Sequence, residues 1–226
     1  MRAIKPLQIA LFLLLLALIL LLAGASAALL DRLPLGEFRA LALLLAGLLL
    51  MYLWAFVVYR LFLHLLPLRE GYVAEHSRDE LVAHVNMLFY LLLFNSLIRS
   101  NVIPVPMLRL VYLALGARLG SHTYSAGALL DPPLTRIGAH TIIGHNAVIF
   151  AHVIEGKRLE LKAVTIGSGV TIGATAVLMA GVHIGDNAIV SAGAVVAKDT
   201  RIGAGEVWGG IPARLLRPAP SGPPNS

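Results

Sequence analysis

The sequence predicts two N-terminal transmembrane helices followed by a left-handed parallel β-helix. Two observations predict the first part: a pair of long uncharged apolar runs, and basic residues gathered at their ends. One observation predicts the second, an aliphatic residue that recurs at every sixth position over the C-terminal half. No other secondary structure generates a period of six, since helices repeat near 3.6 and simple strands at 2.

The chain has 226 residues, of which 58% are hydrophobic and only 13% charged. The apolar excess is unevenly spread. Pro6–Leu30 and Ala40–Tyr59 carry no charge, and each is long enough, at about 1.5 Å per residue, to cross roughly 30 Å of hydrocarbon. The expected division is therefore 1–70 for two transmembrane helices, 71–118 for an interfacial, amphipathic helical connector, 119–216 for the β-helix and 217–226 for a disordered tail.

Arg2 and Lys5 precede the first apolar run, and Arg60, Arg69 and Arg78 follow the second, whereas in the short connection Asp31 and Glu37 offset Arg32 and Arg39. The Lys and Arg bias favours both termini in the cytoplasm. The rival reading is a cleaved leader ending near Ala25-Ser26-Ala27, but an apolar run this long exceeds the usual signal h-region. The net charge of +6 forms no basic patch interleaved with aromatics, so nucleic acid is not an expected partner. With no cysteine, thiolate metal sites, disulfides and a cysteine nucleophile are excluded.

A third uncharged stretch, Leu81–Ile98, contains His84, Asn86, Asn95 and Ser96. On an unbroken helix His84 and Asn95, three turns apart, share a face, which suits an interfacial or core-facing helix. Pro104 and Pro106 then break the chain, and Met107–Leu115 reads as a short helix stopped by Gly116. The Pro-rich end after Arg217 has too little apolar surface to bury a core.

In the β-helix the sixth-position aliphatics are Ile137, Ile143 and Ile149, then Ile166, Ile172, Leu178, Ile184, Val190, Val196, Ile202 and Trp208. Three hexads close one triangular coil, so residues 18 apart stack at the usual strand spacing of about 4.8 Å. Ile166, Ile184 and Ile202 are expected in one column, and Ile172, Val190 and Trp208 in the next. The repeat slips once: Ile149 and Ile166 are 17 apart rather than 6, which requires an eleven-residue insertion, placed around Glu155–Thr165 as a loop starting beside His152. Long loops on rigid scaffolds are where function concentrates.

These repeats resemble the hexapeptide-repeat left-handed β-helix acyltransferases. The ending Ser191–Thr200 and Trp208-Gly209-Gly210-Ile211-Pro212-Ala213-Arg214 is similar to their closing coil. A closer likeness is to the C-terminal acyltransferase-like modules of membrane-bound nonribosomal peptide synthetase-like proteins of the ε-poly-lysine synthetase type. These carry a His, an acidic residue three positions on and a repeat restart fourteen positions on, as His152, Glu155 and Ile166 do here. The residues of the insertion differ, so the acceptor does not carry over.

The resemblance implies acyl transfer from a thioester, acetyl-CoA or another acyl-CoA, to a hydroxyl or amine, in a cleft between subunits of a homotrimer. His152 is then the expected general base and Glu155 the residue that orients it. Lys198 and Arg214 are the expected cofactor-binding residues, and no metal is expected. The protein is expected in the bacterial inner membrane with the β-helix in the cytoplasm, near membrane lipids and a membrane-associated or small-molecule acceptor. Two alternatives stand beside this reading. One is a zinc-dependent carbonic-anhydrase-like β-helix using His140 and His145, although the partnering His of such sites would fall within Arg99–Leu110, which has none. The other is a non-catalytic trimeric membrane scaffold.

Overall fold

A computed structural model describes residues 3–34, 36–100 and 102–220. Arg2 and residues 221–226 of the tail lie outside the described residues. The described residues form two compact units, one within 3–67 and 76–94 and the other within 68–75 and 95–220.

The first unit is helical. Helix α1 (Pro6–Leu30) and helix α2 (Arg39–Leu65) contain the two uncharged runs. Leucines dominate their outer surfaces: Leu14, Leu21, Leu44 and Leu49 are each at least two-thirds exposed. Helix α3 (Arg78–Phe89) begins at Ser77, whose hydroxyl accepts the Glu80 N–H at 3.1 Å. Aromatic side chains make the packing. Phe89 meets Phe12 and Tyr59, each at 5.3 Å between ring centroids, and Phe94 meets Phe56 at 5.0 Å. Polar ties fix the register between helices. Tyr59 Oη donates to Asn86 Oδ1 at 2.7 Å, Trp54 Nε1 to Ser26 Oγ at 3.0 Å, and Lys5 Nζ to the buried Glu80 carboxylate at 2.5 Å.

Among the described residues three helical stretches are long and apolar enough to cross a membrane: Pro6–Leu30, Gly36–Leu65 and Arg78–Arg99. The third is not one regular helix. A π turn at Tyr90–Phe94 separates α3 from helix α4 (Asn95–Arg99). The wider turn changes the helical spacing, so the unbroken helix on which His84 and Asn95 were expected to share a face is not formed. His84 is buried, whereas Asn95 is half-exposed and accepts from Arg99 Nε at 3.1 Å.

The second unit is the β-helix, beginning at Arg118. Three parallel sheets form its faces. Ile166 pairs with Ile184 and Ile184 with Ile202; Ile172 pairs with Val190 and Val190 with Trp208, giving the columns expected from the repeat. Across the insertion the separation is 29, the coil length plus eleven: Ile137 meets Ile166, Ile143 meets Ile172 and Ile149 meets Leu178. Most of these aliphatics are at most 2% exposed.

The first coil of the expected 119–216 domain lies before the regular hexads that begin at Ile137. Leu119 pairs with Ile137 and Ser125 with Ile143, both at 18, but Leu129 pairs with Ile149 at 20. A 3-10 turn at Pro132–Leu134 absorbs the difference.

The open ends are closed differently. Helix α5 (Val105–Ala114) buries Leu108 and Tyr112, followed by Leu115, and stops at Gly116 with φ +102°. Arg109 of α5 donates to the carbonyls of Gly120 (2.6 Å), Thr123 and Leu119. At the other end the Arg214–Arg217 strand runs antiparallel to Val207–Gly209, one residue past the expected boundary at 216, and Trp208 Nε1 is held by Glu206 at 2.7 Å.

Candidate active site

The eleven-residue interruption is a β-hairpin, not an irregular loop, and it starts at His152. Strand His152–Glu155 pairs antiparallel with Arg158–Leu161 through a two-residue turn at Gly156-Lys157. Gly156 has φ +61°, the conformation the first central residue of a tight hairpin turn requires. A third strand, Gly71–Val73, pairs with Arg158–Leu161. Glu70, just before it, accepts the Ala163 N–H and the Arg136 guanidinium, each at 3.0 Å, where the chain rejoins the coil.

His152 stands at the root of this hairpin. Its Nδ1 lies 2.7 Å from Asp131 Oδ2, and the same oxygen accepts the Ala151 N–H at 2.8 Å. The carboxylate thereby fixes the tautomer: Nδ1–H donates, and Nε2 keeps its lone pair. Asp131 is 6% exposed, while the His152 side chain keeps 34% of its surface open. The hydrogen bond that Nδ1–H donates to Asp131 raises the His152 pKa above its ordinary value; burial works against this, and the carboxylate's charge reinforces it. Phe150 forms a wall beside the imidazole, 5.5 Å between centroids.

The structure brings Asp131, and not the expected Glu155, to His152. Residues three apart on a strand point to opposite faces, so the two side chains diverge. Glu155 instead binds Lys198, whose hydrogen bond holds the carboxyl below its ordinary range. Lys162 bonds Asp199 at 2.7 Å, so two ion pairs tie the hairpin to the turn at Lys198-Asp199. Lys198, expected toward a cofactor, thus has a carboxylate partner. Arg214 is exposed, and its Nη1 donates to the Ala213 carbonyl at 3.1 Å.

Asp131 went unread, yet the sequence carries a signal for it. Counting back by sixes from Ile137 reaches Asp131, an aspartate where the repeat wants an aliphatic. The two-residue shift at Leu129 resolves the conflict: Leu129 takes the inward place beside Ile149, and Asp131 falls beside Ala151, next to His152. The other histidines have plainer positions. His122 and His140 occupy coil corners at φ +54° and +56° and stack at 5.1 Å. Among the described residues no three His, Asp or Glu side chains converge as a metal site.

Residues 163–198 match the family model described as bacterial transferase hexapeptide (six repeats). No curated protein matches the chain. Among solved structures it is similar to a hexapeptide-repeat-containing acetyltransferase from Vibrio cholerae, at 29% identity over 45% of this chain and 62% of that one, TM-score 0.42. The same enzyme complexed with acetyl coenzyme A gives 31% identity, coverage of 45% and 60%, and TM-score 0.41. A galactoside acetyltransferase in complex with coenzyme A gives 22% identity, coverage of 58% and 80%, and TM-score 0.46. The chain therefore spans about three fifths of the Vibrio protein's length, and the fold assignment rests on strand register rather than on these likenesses. Residues 163–198 carry the hexapeptide repeat of bacterial transferases, within a parallel β-helix whose one long interruption begins at a His152–Asp131 pair.

Proposed function

We propose that the protein is a membrane-anchored acyltransferase that moves an acyl group, acetyl in the simplest case, from acyl-CoA to a hydroxyl or amine of a membrane-associated or small-molecule acceptor. The observation that carries this reading is the His152–Asp131 pair at the root of the hairpin, in a chain whose neighbouring coils match a transferase repeat. In this reading α1 and α2 span the bacterial inner membrane, the β-helix is left-handed and lies in the cytoplasm, and three copies assemble. The finer likeness to peptide synthetase-like modules contributes the spacing of His152 and Glu155 but not an acceptor.

The chemistry follows from the tautomer. His152 Nε2 takes the proton of the acceptor O–H or N–H as its oxygen or nitrogen attacks the thioester carbonyl. The tetrahedral intermediate collapses, the C–S bond breaks, and the proton passes from Nε2 to the leaving thiolate. Asp131 holds the ring and stabilises its cationic form, the role of the third member of a catalytic triad. Arg214 and Lys198 are the cations offered to the coenzyme's phosphates. Lys198 can exchange Glu155 for a phosphate at little cost, because exposed ion pairs are weak.

The test incubates membranes carrying the protein with radiolabelled acetyl-CoA and lipid extract, comparing wild type with His152→Ala. Label transferred by wild type and lost in the variant is expected; equal labelling by both removes His152 from the mechanism.

A further inference from the structure

A second site lies away from His152. Helices α4 and α5 and the coil corner at His145-Asn146 line a partly open cleft of about 510 Å3, within the range of small-molecule sites. Ile98, Ile103, Leu108 and Val148 give it apolar walls, and Arg99 and His145 line it as the cationic or protonatable groups. No carboxylate lines it; the chain has no Asp or Glu between Glu80 and Asp131. Arg99 bonds Asn95 through Nε, and neither terminal guanidinium nitrogen is used in that bond.

The surroundings indicate what such a cleft would hold. Its wall continues from the apolar stretch Arg78–Arg99, which is long enough to cross a bilayer. Beside it Val102, Met107 and Leu110 are 81%, 55% and 62% exposed, while α5 turns Leu108 and Tyr112 inward. An exposed apolar face next to cations, with no nearby acid, suits the boundary between head groups and acyl chains. A soluble phosphate would use the cations but leave the apolar walls and the exposed face uncovered.

The geometry points to a binding site for one anionic phospholipid, its phosphate on Arg99 and His145 and the start of its acyl chains against Ile98, Ile103 and Leu108. Guanidinium–phosphate hydrogen bonds are charge-assisted and forked, which makes Arg99 the main determinant of head-group choice. The site rests on the membrane-anchored part of the proposed function but not on acyl transfer, because its occupancy is read by binding alone.

The test is native mass spectrometry of the full chain released from nanodiscs containing equal phosphatidylglycerol and phosphatidylcholine. Wild type is expected to retain one phosphatidylglycerol, favoured by about tenfold, a difference of about 1.4 kcal/mol. Arg99→Gln with His145→Gln is expected to abolish the preference, and Arg99→Lys to keep much of it. Both altered residues are exposed, so the variants should fold, and an unchanged thermal midpoint verifies this. Ile103→Asp is expected to abolish retention of either lipid. Equal retention of the two lipids by wild type, an unchanged preference in the double glutamine variant, or displacement of the lipid by millimolar inorganic phosphate would overturn the proposal.

Discussion

At the scale of the residue, the account turns on which carboxylate serves His152. Asp131→Asn keeps the shape but replaces the acceptor that fixes the tautomer, and is expected to lower kcat by about 10²- to 10⁴-fold. Glu155→Gln, which loses only an exposed pair with Lys198, is expected to change kcat by less than about threefold. The pH dependence has a definite sign. Asp131 raises the His152 pKa, and the base works only when neutral, so kcat/KM should rise with pH through a midpoint above the ordinary histidine value near 6.5. Asp131→Asn should move that midpoint down as well as lowering the plateau. The same shift means the pair stabilises the fold below the unfolded pKa, and that contribution fades as pH rises through the folded one.

At the scale of the element, the coils and the hairpin differ in how far the sequence discloses them. The six-residue period made the columns of Ile166 and Ile172 legible, because an inward aliphatic at every strand is an energetic necessity of stacking. Ile172→Ala should therefore cost about 2–5 kcal/mol in thermal or denaturant unfolding, whereas Ile189→Ala, at an outward position 38% exposed, should cost less than about 0.5 kcal/mol. The size of the insertion was legible too, since eleven residues restore the register. Its form was not: Val153, Leu159 and Leu161 alternate as strand residues only once the partner strand Gly71–Val73, some ninety residues away, is in place. The first coil lay inside the expected domain from 119, but its strand positions were not legible for a similar reason. Ser125 and the shift at Leu129 break the aliphatic count, and Tyr112 supplies what the coil lacks. Its hydroxyl donates to the Gly127 carbonyl at 2.8 Å and accepts the Leu129 N–H. Burial pushes its pKa up to about 12. Tyr112→Phe is expected to destabilise by about 1–3 kcal/mol, because the buried Leu129 N–H loses its acceptor and the Gly127 carbonyl keeps only the Ser125 hydroxyl.

At the scale of the whole molecule, an apolar N-terminal half and a repeat-built C-terminal half were both written in composition and period. The chemistry was legible only in part. His152 stood out as a candidate because it roots the interruption, while Asp131, which the structure places against it, sits 21 residues earlier, a separation that neither the 18-residue coil nor the strand period marks. A reporter fused after Ser226 should lie in the cytoplasm, and a location outside would remove the source of coenzyme A thioesters. The measurement that bears most directly on the central claim is coenzyme A release by the purified full-length protein with acetyl-CoA and a lipid extract, recorded across pH for wild type, Asp131→Asn and Glu155→Gln. The account predicts acceptor-dependent thiol release by wild type with a midpoint above 6.5, a loss of at least about a hundredfold and a lower midpoint for Asp131→Asn, and a near-normal profile for Glu155→Gln. Full activity in Asp131→Asn with loss in Glu155→Gln would contradict it.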